Sequence, residues 1–192
     1  MTAVDKVVNH RHASPIDHRQ ERQESNADTV SLSGWGGVPR ADCRLYAPAS
    51  ESDLRALFLR HSTLIARGNG RAYGDAALNS EATVLMRRFN RVLSFDEAEG
   101  VIVCEAGVLL SDILAIALPR NWFPPVVPGT KYVTVGGMIA ADVHGKNHPQ
   151  AGSFARHVCW IELMTAGGTI VRCSPAEQVD LFEASLGGIR HR

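Results

Sequence analysis

At 192 residues, with 45% hydrophobic and 21% charged residues, the chain is long enough for one ordinary folded unit with a buried core. Its 20 Lys and Arg balance 20 Asp and Glu, so it lacks the basic surplus that draws a nucleic acid or an anionic membrane surface. No apolar run approaches the roughly 18 residues of a bilayer span, and no apolar core of a secretory signal opens the chain. These exclusions leave no transmembrane segment and no nucleic-acid partner, and point to a cytoplasmic protein that handles a small molecule.

Residues 1–30 are polar, rich in His, Arg, Gln, Glu and Asp, and carry too little apolar surface to offset their ordering entropy. They are expected to form a disordered tail, and the irregular spacing of His10, His12 and His18 favours solvated side chains over a metal tract. Order is expected from about Leu32 and Trp35. CRLYAP reads as a short strand closed by Pro48, and SESD, Ser50 to Asp53, has the form of a capping box ahead of Leu54, Leu57 and Phe58 at helical spacing. Thr63 to Ala66 reads as a strand that runs straight into the glycine-rich RGNGRAYGD.

Short β-rich runs follow at Thr83–Met86, Val92–Phe95 and Val101–Cys104, the last two joined by the turn-like DEAEG. Ser111 is expected to cap a helix through Ile113, Leu114, Ala117 and Leu118, ended by Pro119. The prolines of FPPVVPGT then forbid both helix and central strand, so an ordered extended loop is expected there. HVCWIELM and TIVRC flank AGG as a hairpin signal, and DLFEASLGG reads as the start of a helix. The class is mixed α and β in one folded unit over 31–188, with 189–192, IRHR, as a polar ending in which the chain is expected to stop in mid-fold. Cys43, Cys104, Cys159 and Cys173 form no CxxC pair and are expected to be reduced and mostly buried, Cys104 and Cys159 inside apolar runs.

Two segments carry the chemistry. Arg67 to Asp75 has three glycines and two arginines, so its amides and guanidinium groups suit a pyrophosphate, with a simple tight turn as the plain alternative. Val127 to Phe154 concentrates glycines, small residues and two histidines, and Gly136, Gly137 and Gly145 are expected to present bare N–H groups to a ligand. A Rossmann site fails on spacing: Gly68, Gly70 and Gly74 stand one residue too far apart, and a helix precedes this loop while none follows it, although Asp96 lies about where a ribose-binding acid would be sought. His144 and His148 stand four apart, but Gly145 takes the place of the metalloprotease Glu, so no metal is expected. Ser153 lacks the glycine two residues on that a nucleophile elbow uses. Two glycine-rich segments with small residues and a His between them suit a long ligand with a phosphate middle and a flat aromatic end, such as a flavin dinucleotide.

At LSGWG (Leu32–Gly36), ARGNGRAYGDAALN (Ala66–Asn79), PGTKYVTVGGMIAADVHGKNHPQAGSF (Pro128–Phe154) and LFEASLGG (Leu181–Gly188), the chain resembles the FAD-linked oxidases of the vanillyl-alcohol oxidase type. Among these it is most similar to the group that acts on a polyprenylphosphoryl ribose. The resemblance implies an α+β, PCMH-type FAD-binding domain of two α/β subdomains, incomplete at the C-terminus. It implies that Arg67, Gly68, Asn69, Gly70, Arg71, Ala72, Tyr73, Gly74 and Asp75 wrap the FAD pyrophosphate. Gly129, Thr134, Val135, Gly136, Gly137, Ala141, Asp142, Val143 and His144 are then expected to line the flavin and its ribityl and phosphate portions, with Lys146 and Asn147 toward its working side. Family members that bond the flavin covalently often carry a His where Arg71 stands, so noncovalent FAD is expected. The implied reaction is oxidation of a CH–OH group of a sugar or polyol. The substrate-covering domain is expected to be missing or supplied by a partner chain, which leaves the catalytic residues unassigned and the chain inactive alone.

Overall fold

The structure, a computed structural model, describes residues 27–188; His10, His12, His18 and the IRHR ending lie outside the described residues. Strand β1 (Asp28–Ser33) pairs antiparallel with β2 (Arg40–Tyr46), from Asp28 opposite Leu45 to Ser33 opposite Arg40. Order therefore starts before Leu32. Val30 and Leu32 are half-buried while Thr29 and Ser31 face outward, an alternation too diluted by hydroxyl side chains to read as a strong strand.

Helix α1 (Glu51–Arg60) begins at the expected capping box. Asp53 N donates to Ser50 Oγ at 3.1 Å, and Ser50 N donates to Asp53 Oδ2 at 3.0 Å. Leu54 and Leu57 are buried one turn apart and pack with Val84, Tyr46, Phe58, Leu64, Met86, Phe89 and Met164. Strand β3 (Ile65–Arg67) and strand β4 (Thr83–Leu85) complete a four-stranded sheet of order β1-β2-β4-β3, in which β4 runs parallel to both neighbours. The chain thus leaves an edge strand, makes the first glycine loop, and returns as a buried central strand. Asn79 steers that return: its Oδ1 accepts from Glu81 N and Ala82 N, while Thr83 Oγ1 donates to its carbonyl at 2.9 Å.

Beyond β4, strands β5 (Val92–Asp96) and β6 (Val101–Cys104) form one hairpin. Asp96 Oδ1 accepts from Ala98 N and Glu99 N, so this carboxylate builds the turn instead of waiting for a ribose. Helix α2 (Leu110–Ala117) starts one turn-edge earlier than expected: Leu109 is the N-cap residue, its N–H donates to Asp112 Oδ2 at 3.0 Å, and Ser111 already lies inside the helix. An acceptor at the third helical position wins over the hydroxyl because it reaches back to an orphan N–H.

The segment expected to be loop-rich contains two short helices, α3 (Val135–Ala140) and α4 (His148–Ala151), and Phe154–His157 makes a 3-10 turn. Strands β7 (Ile161–Met164) and β8 (Ile170–Cys173) then form the expected hairpin, followed by α5 (Val179–Ser185). Ile161, Cys173 and Phe182 make a second core with Ile139, Val158, Leu163, Leu181 and Leu186. Arg55 Nε of α1 donates to Gly168 O at the β7–β8 turn at 2.8 Å, joining the two regions. The fold is α+β: one mixed sheet with its helix, then two separate hairpins with helices among the described residues.

The cysteines are free, with Cys43 and Cys173 buried and Cys104 half-buried, but Cys159 is exposed because β7 begins only at Ile161. Burial, aided by neighbouring Glu105, pushes the Cys104 thiol up to about 11, so it stays protonated and unreactive at neutral pH. Among the described residues, no helix is long and apolar enough to cross a membrane.

Candidate cofactor site

The first glycine loop leaves the C-terminal end of β3, and its two arginines do different jobs. Arg67 is turned inward, where Nη2 donates to Ser33 O at 2.8 Å and Nη1 to Ala77 O at 3.3 Å. Burial pulls its pKa below the usual arginine range, as desolvation of a cation should, and its hydrogen bonds tie the end of β1 to the far side of the loop. Arg67 thus spends a donor from each terminal nitrogen on the protein's own carbonyls. Gly70, at φ +66°, folds the loop over that side chain.

Arg71 is the other cation. Its guanidinium carbon lies 4.6 Å from the centre of a Trp35 ring, and its Nε is buried without a hydrogen-bond partner among the described residues. A buried guanidinium N–H without an acceptor is costly, and an anionic oxygen is the acceptor it suits best. Ala72 O accepts from Trp35 N at 2.8 Å, while Tyr73, Gly74 and Asp75 stand exposed at the tip. Asp75 O accepts from Leu78 N and closes the loop's return.

The second segment meets the first at Gly68. A Cβ on Gly68 would run into the Thr134 hydroxyl, and one residue on, Asn69 Nδ2 donates to Tyr132 O at 2.8 Å. Thr134, 3% exposed, caps α3 by accepting from Gly137 N at 3.2 Å. Val135 N and Gly136 N donate to Val108 O and Ala106 O at 2.9 and 2.8 Å. The N–H groups of Gly136 and Gly137 are thus satisfied inside the protein and are not bare. What these glycines give is thinness: a Cβ on Gly136 would press on Ala106 at 3.0 Å.

Helix α3 ends at Ala141, whose N–H returns to Gly137 O, and the chain then turns through Asp142 at φ +41°. A left-handed Asp is uncommon and is held here because its Oδ1 accepts from Ala155 N at 2.9 Å. Val143 O accepts from Phe154 N, and His144 bridges to Ser153, so this strip runs back on itself. The His144 and His148 rings stand edge to face at 5.1 Å, and Asn147 Nδ2 donates to Pro125 O at 2.9 Å, which fastens the proline loop. Lys146 is exposed. Gly187 N donates to Ile139 O at 3.1 Å, bringing the last quoted sequence block against the same strip.

Four separate sequence blocks therefore converge. Gly34 and Trp35 touch Ala72 and Gly74, Gly68 and Asn69 touch Thr134 and Tyr132, and Gly187 touches Ile139 and Asp142. Within this arrangement, among the described residues, Gly74 and Gly129 have nothing within 4 Å of where a Cβ would stand. Gly74 and Gly129 lie open, Arg71 keeps an orphaned N–H, and the rings of Trp35, Tyr73 and Tyr132 are exposed, features that suit an anionic, ring-bearing ligand. The part sequence reasoning missed is Trp35, which it placed in the block LSGWG without giving the residue a role at the site.

Known proteins agree with that class. Residues 44–174 match the family described as FAD binding domain. The chain is 47% identical over 167 residues to decaprenylphosphoryl-beta-D-ribose oxidase of Mycolicibacterium smegmatis, covering 83% of this chain and 36% of that protein. It is also 29% identical over 146 residues to L-gulonolactone oxidase of Mus musculus, covering 73% of this chain and 32% of the relative. An uncharacterized oxidoreductase of Rhodococcoides fascians shares 31% identity over 137 residues, covering 71% of this chain and 31% of that protein. The chain belongs to the FAD binding domain family. It spans about a third of the length of these curated relatives.

Proposed function

We propose that this chain holds FAD noncovalently and forms the cofactor-binding portion of an oxidoreductase that oxidises a CH–OH group of a sugar or polyol. The observation that carries the reading is the meeting of the two glycine segments at Gly68 and Thr134, beside Arg71 with its unpartnered Nε. Arg71, with the exposed tip of Tyr73, Gly74 and Asp75, faces the pyrophosphate. Gly129 and the strip from Thr134 to His144 lie along the flavin and its ribityl chain.

Bound FAD supplies a hydride acceptor. The residues of this chain orient it: Thr134 fixes the start of α3, Asp142 fixes its exit, and Asn69 keeps the two segments in register. No His stands in the first loop to make a covalent bond, since Arg71 occupies that stretch with Ala72 and Tyr73. The names of two relatives, a decaprenylphosphoryl ribose oxidase and a gulonolactone oxidase, favour a sugar-derived substrate, of which a polyprenylphosphoryl ribose is the specific candidate. Groups that grip the substrate then come from a further portion of the protein or from a partner chain, in the cytoplasm.

The test is reconstitution. Protein mixed with FAD and freed of excess by gel filtration should be yellow, and acid precipitation should release all the flavin into the supernatant. Colourless protein sinks the FAD reading, and flavin that stays with the precipitate sinks the noncovalent one.

A further inference from the structure

Trp35 is an exposed aromatic residue, 53% accessible, at a place where nothing in the core needs it. Its position is nevertheless tightly built. Gly37 N donates to Gly34 O at 3.1 Å, closing a turn that puts Trp35 at its tip, and Trp35 N donates to Ala72 O at 2.8 Å. Gly34 has to be glycine for this turn to lie on the loop, because a Cβ there would fall 2.5 Å from Gly74 O and 2.7 Å from Ala72 O. The turn after β1 is therefore pressed against the first glycine loop, with the Trp35 ring placed under the Arg71 guanidinium at 4.6 Å.

Stacking on a ring uses the flat face of a guanidinium and leaves its N–H edge free for a planar or tetrahedral anion. An arginine held only by solvent would sample many rotamers, and ordering it on ligand binding would cost affinity. Trp35 removes much of that cost without consuming a donor. We infer that Trp35 is a positioning residue for anion binding: the SGWGG turn presents its ring to Arg71 and sets that side chain in advance for the phosphates. This rests on the reading that the first glycine loop takes the FAD pyrophosphate.

The experiment is a double-mutant cycle on the full chain, with FAD affinity read from flavin fluorescence and the fold checked by circular dichroism. Trp35→Ala should weaken FAD binding about five-fold, the scale of one partly exposed cation–π contact, while Trp35→Phe, which keeps a ring, should bind within about two-fold of wild type. In an Arg71→Ala background, Trp35→Ala should have no further effect. The Trp35 indole resonance should also shift in Arg71→Ala without FAD present, which reads the contact apart from cofactor binding.

Wild-type affinity in Trp35→Ala, or an undiminished loss in the Arg71→Ala background, overturns the inference while leaving the FAD site standing. A Trp35→Phe variant as weak as Trp35→Ala overturns it too, since the turn and not the ring would then be at work. Wild-type protein that binds no FAD overturns the site itself, a different result from any of these.

Discussion

The two glycine segments use the same residue type for opposite purposes. In Arg67–Asp75 two of the three glycines free the backbone: Gly70 and Gly74 take positive φ, and Gly74 has open space beside it, while Gly68 is closed in at the seam with Thr134. In Val127–Phe154 the central glycines are closed in. Gly136 and Gly137 sit in a short helix with their N–H groups donated to Ala106 O and Thr134 Oγ1, and what they remove is bulk. One segment turns sharply at its tip, and the other is thinned so that neighbouring backbone can lie close. Glycine content alone does not distinguish these jobs, whereas the partner of each N–H does.

The strongest way to break that contrast is at the seam. Gly68→Ala places a methyl against Thr134, which is buried, β-branched and fixed by its bond from Gly137 N, so it cannot swing aside cheaply. Overpacking of this kind costs about 1–3 kcal/mol, so a thermal melt should show clear destabilisation, and FAD retention should fall with it. Gly129→Ala is the matching control: nothing lies within 4 Å of its Cβ, so the melting temperature should not move. If FAD binding nevertheless drops in Gly129→Ala, the space is ligand space; unchanged binding removes Gly129 from the site.

Arg71→Ala comes next. It should leave the fold intact, because no protein acceptor is lost at Nε, yet weaken FAD by one charge-assisted hydrogen bond, about 1.5–3 kcal/mol or roughly ten- to hundred-fold. Arg67→Ala should do the reverse, losing stability through its bonds to Ser33 O and Ala77 O. Equal flavin content and equal melting temperatures in the two variants would erase the division of labour between the arginines. A smaller effect is expected from Thr134→Val, which keeps the shape but removes the cap on Gly137 N. Loss of an N-cap costs about 1 kcal/mol, read as a lowered urea midpoint.

Much of this was legible beforehand because local rules act alone in the places concerned. The Ser50–Asp53 capping box, the β7–β8 hairpin and the turn at DEAEG each depend on neighbours in sequence, and each formed as read. The membership of the two loops in an FAD-binding domain was also readable, and both loops lie inside the stretch 44–174 that matches that family. Helix α3 was not. Its six residues include two glycines, which weaken propensity and blur the apolar period, so only Thr134 as a cap signalled it. Arg67 and Arg71 look alike in sequence, and only the closure of β1 onto the loop decides which turns inward. Trp35 depends on the same closure.

The smallest expected effect lies away from both segments, at the foot of the first loop's return. Glu81 accepts from the Thr63 hydroxyl at 2.7 Å and from Ser62 N at 2.9 Å, and these bonds hold its carboxyl down from 4.5 to about 2. His61 Nδ1 lies 3.6 Å away. Because the folded state binds the proton less readily than the unfolded one, the stabilisation is fully present above pH 4.5 and is lost as pH falls toward about 2. Glu81→Gln should therefore flatten the acid limb of a stability-against-pH profile over that window and leave the profile near neutrality parallel to wild type. The site is solvent-accessible, so the change should be modest. It should also leave FAD affinity untouched, since Glu81 braces the junction of α1, β3 and β4 and not the candidate site. A Glu81→Gln variant that loses flavin would mean that the return of the loop, and not only its tip, sets the geometry of the site.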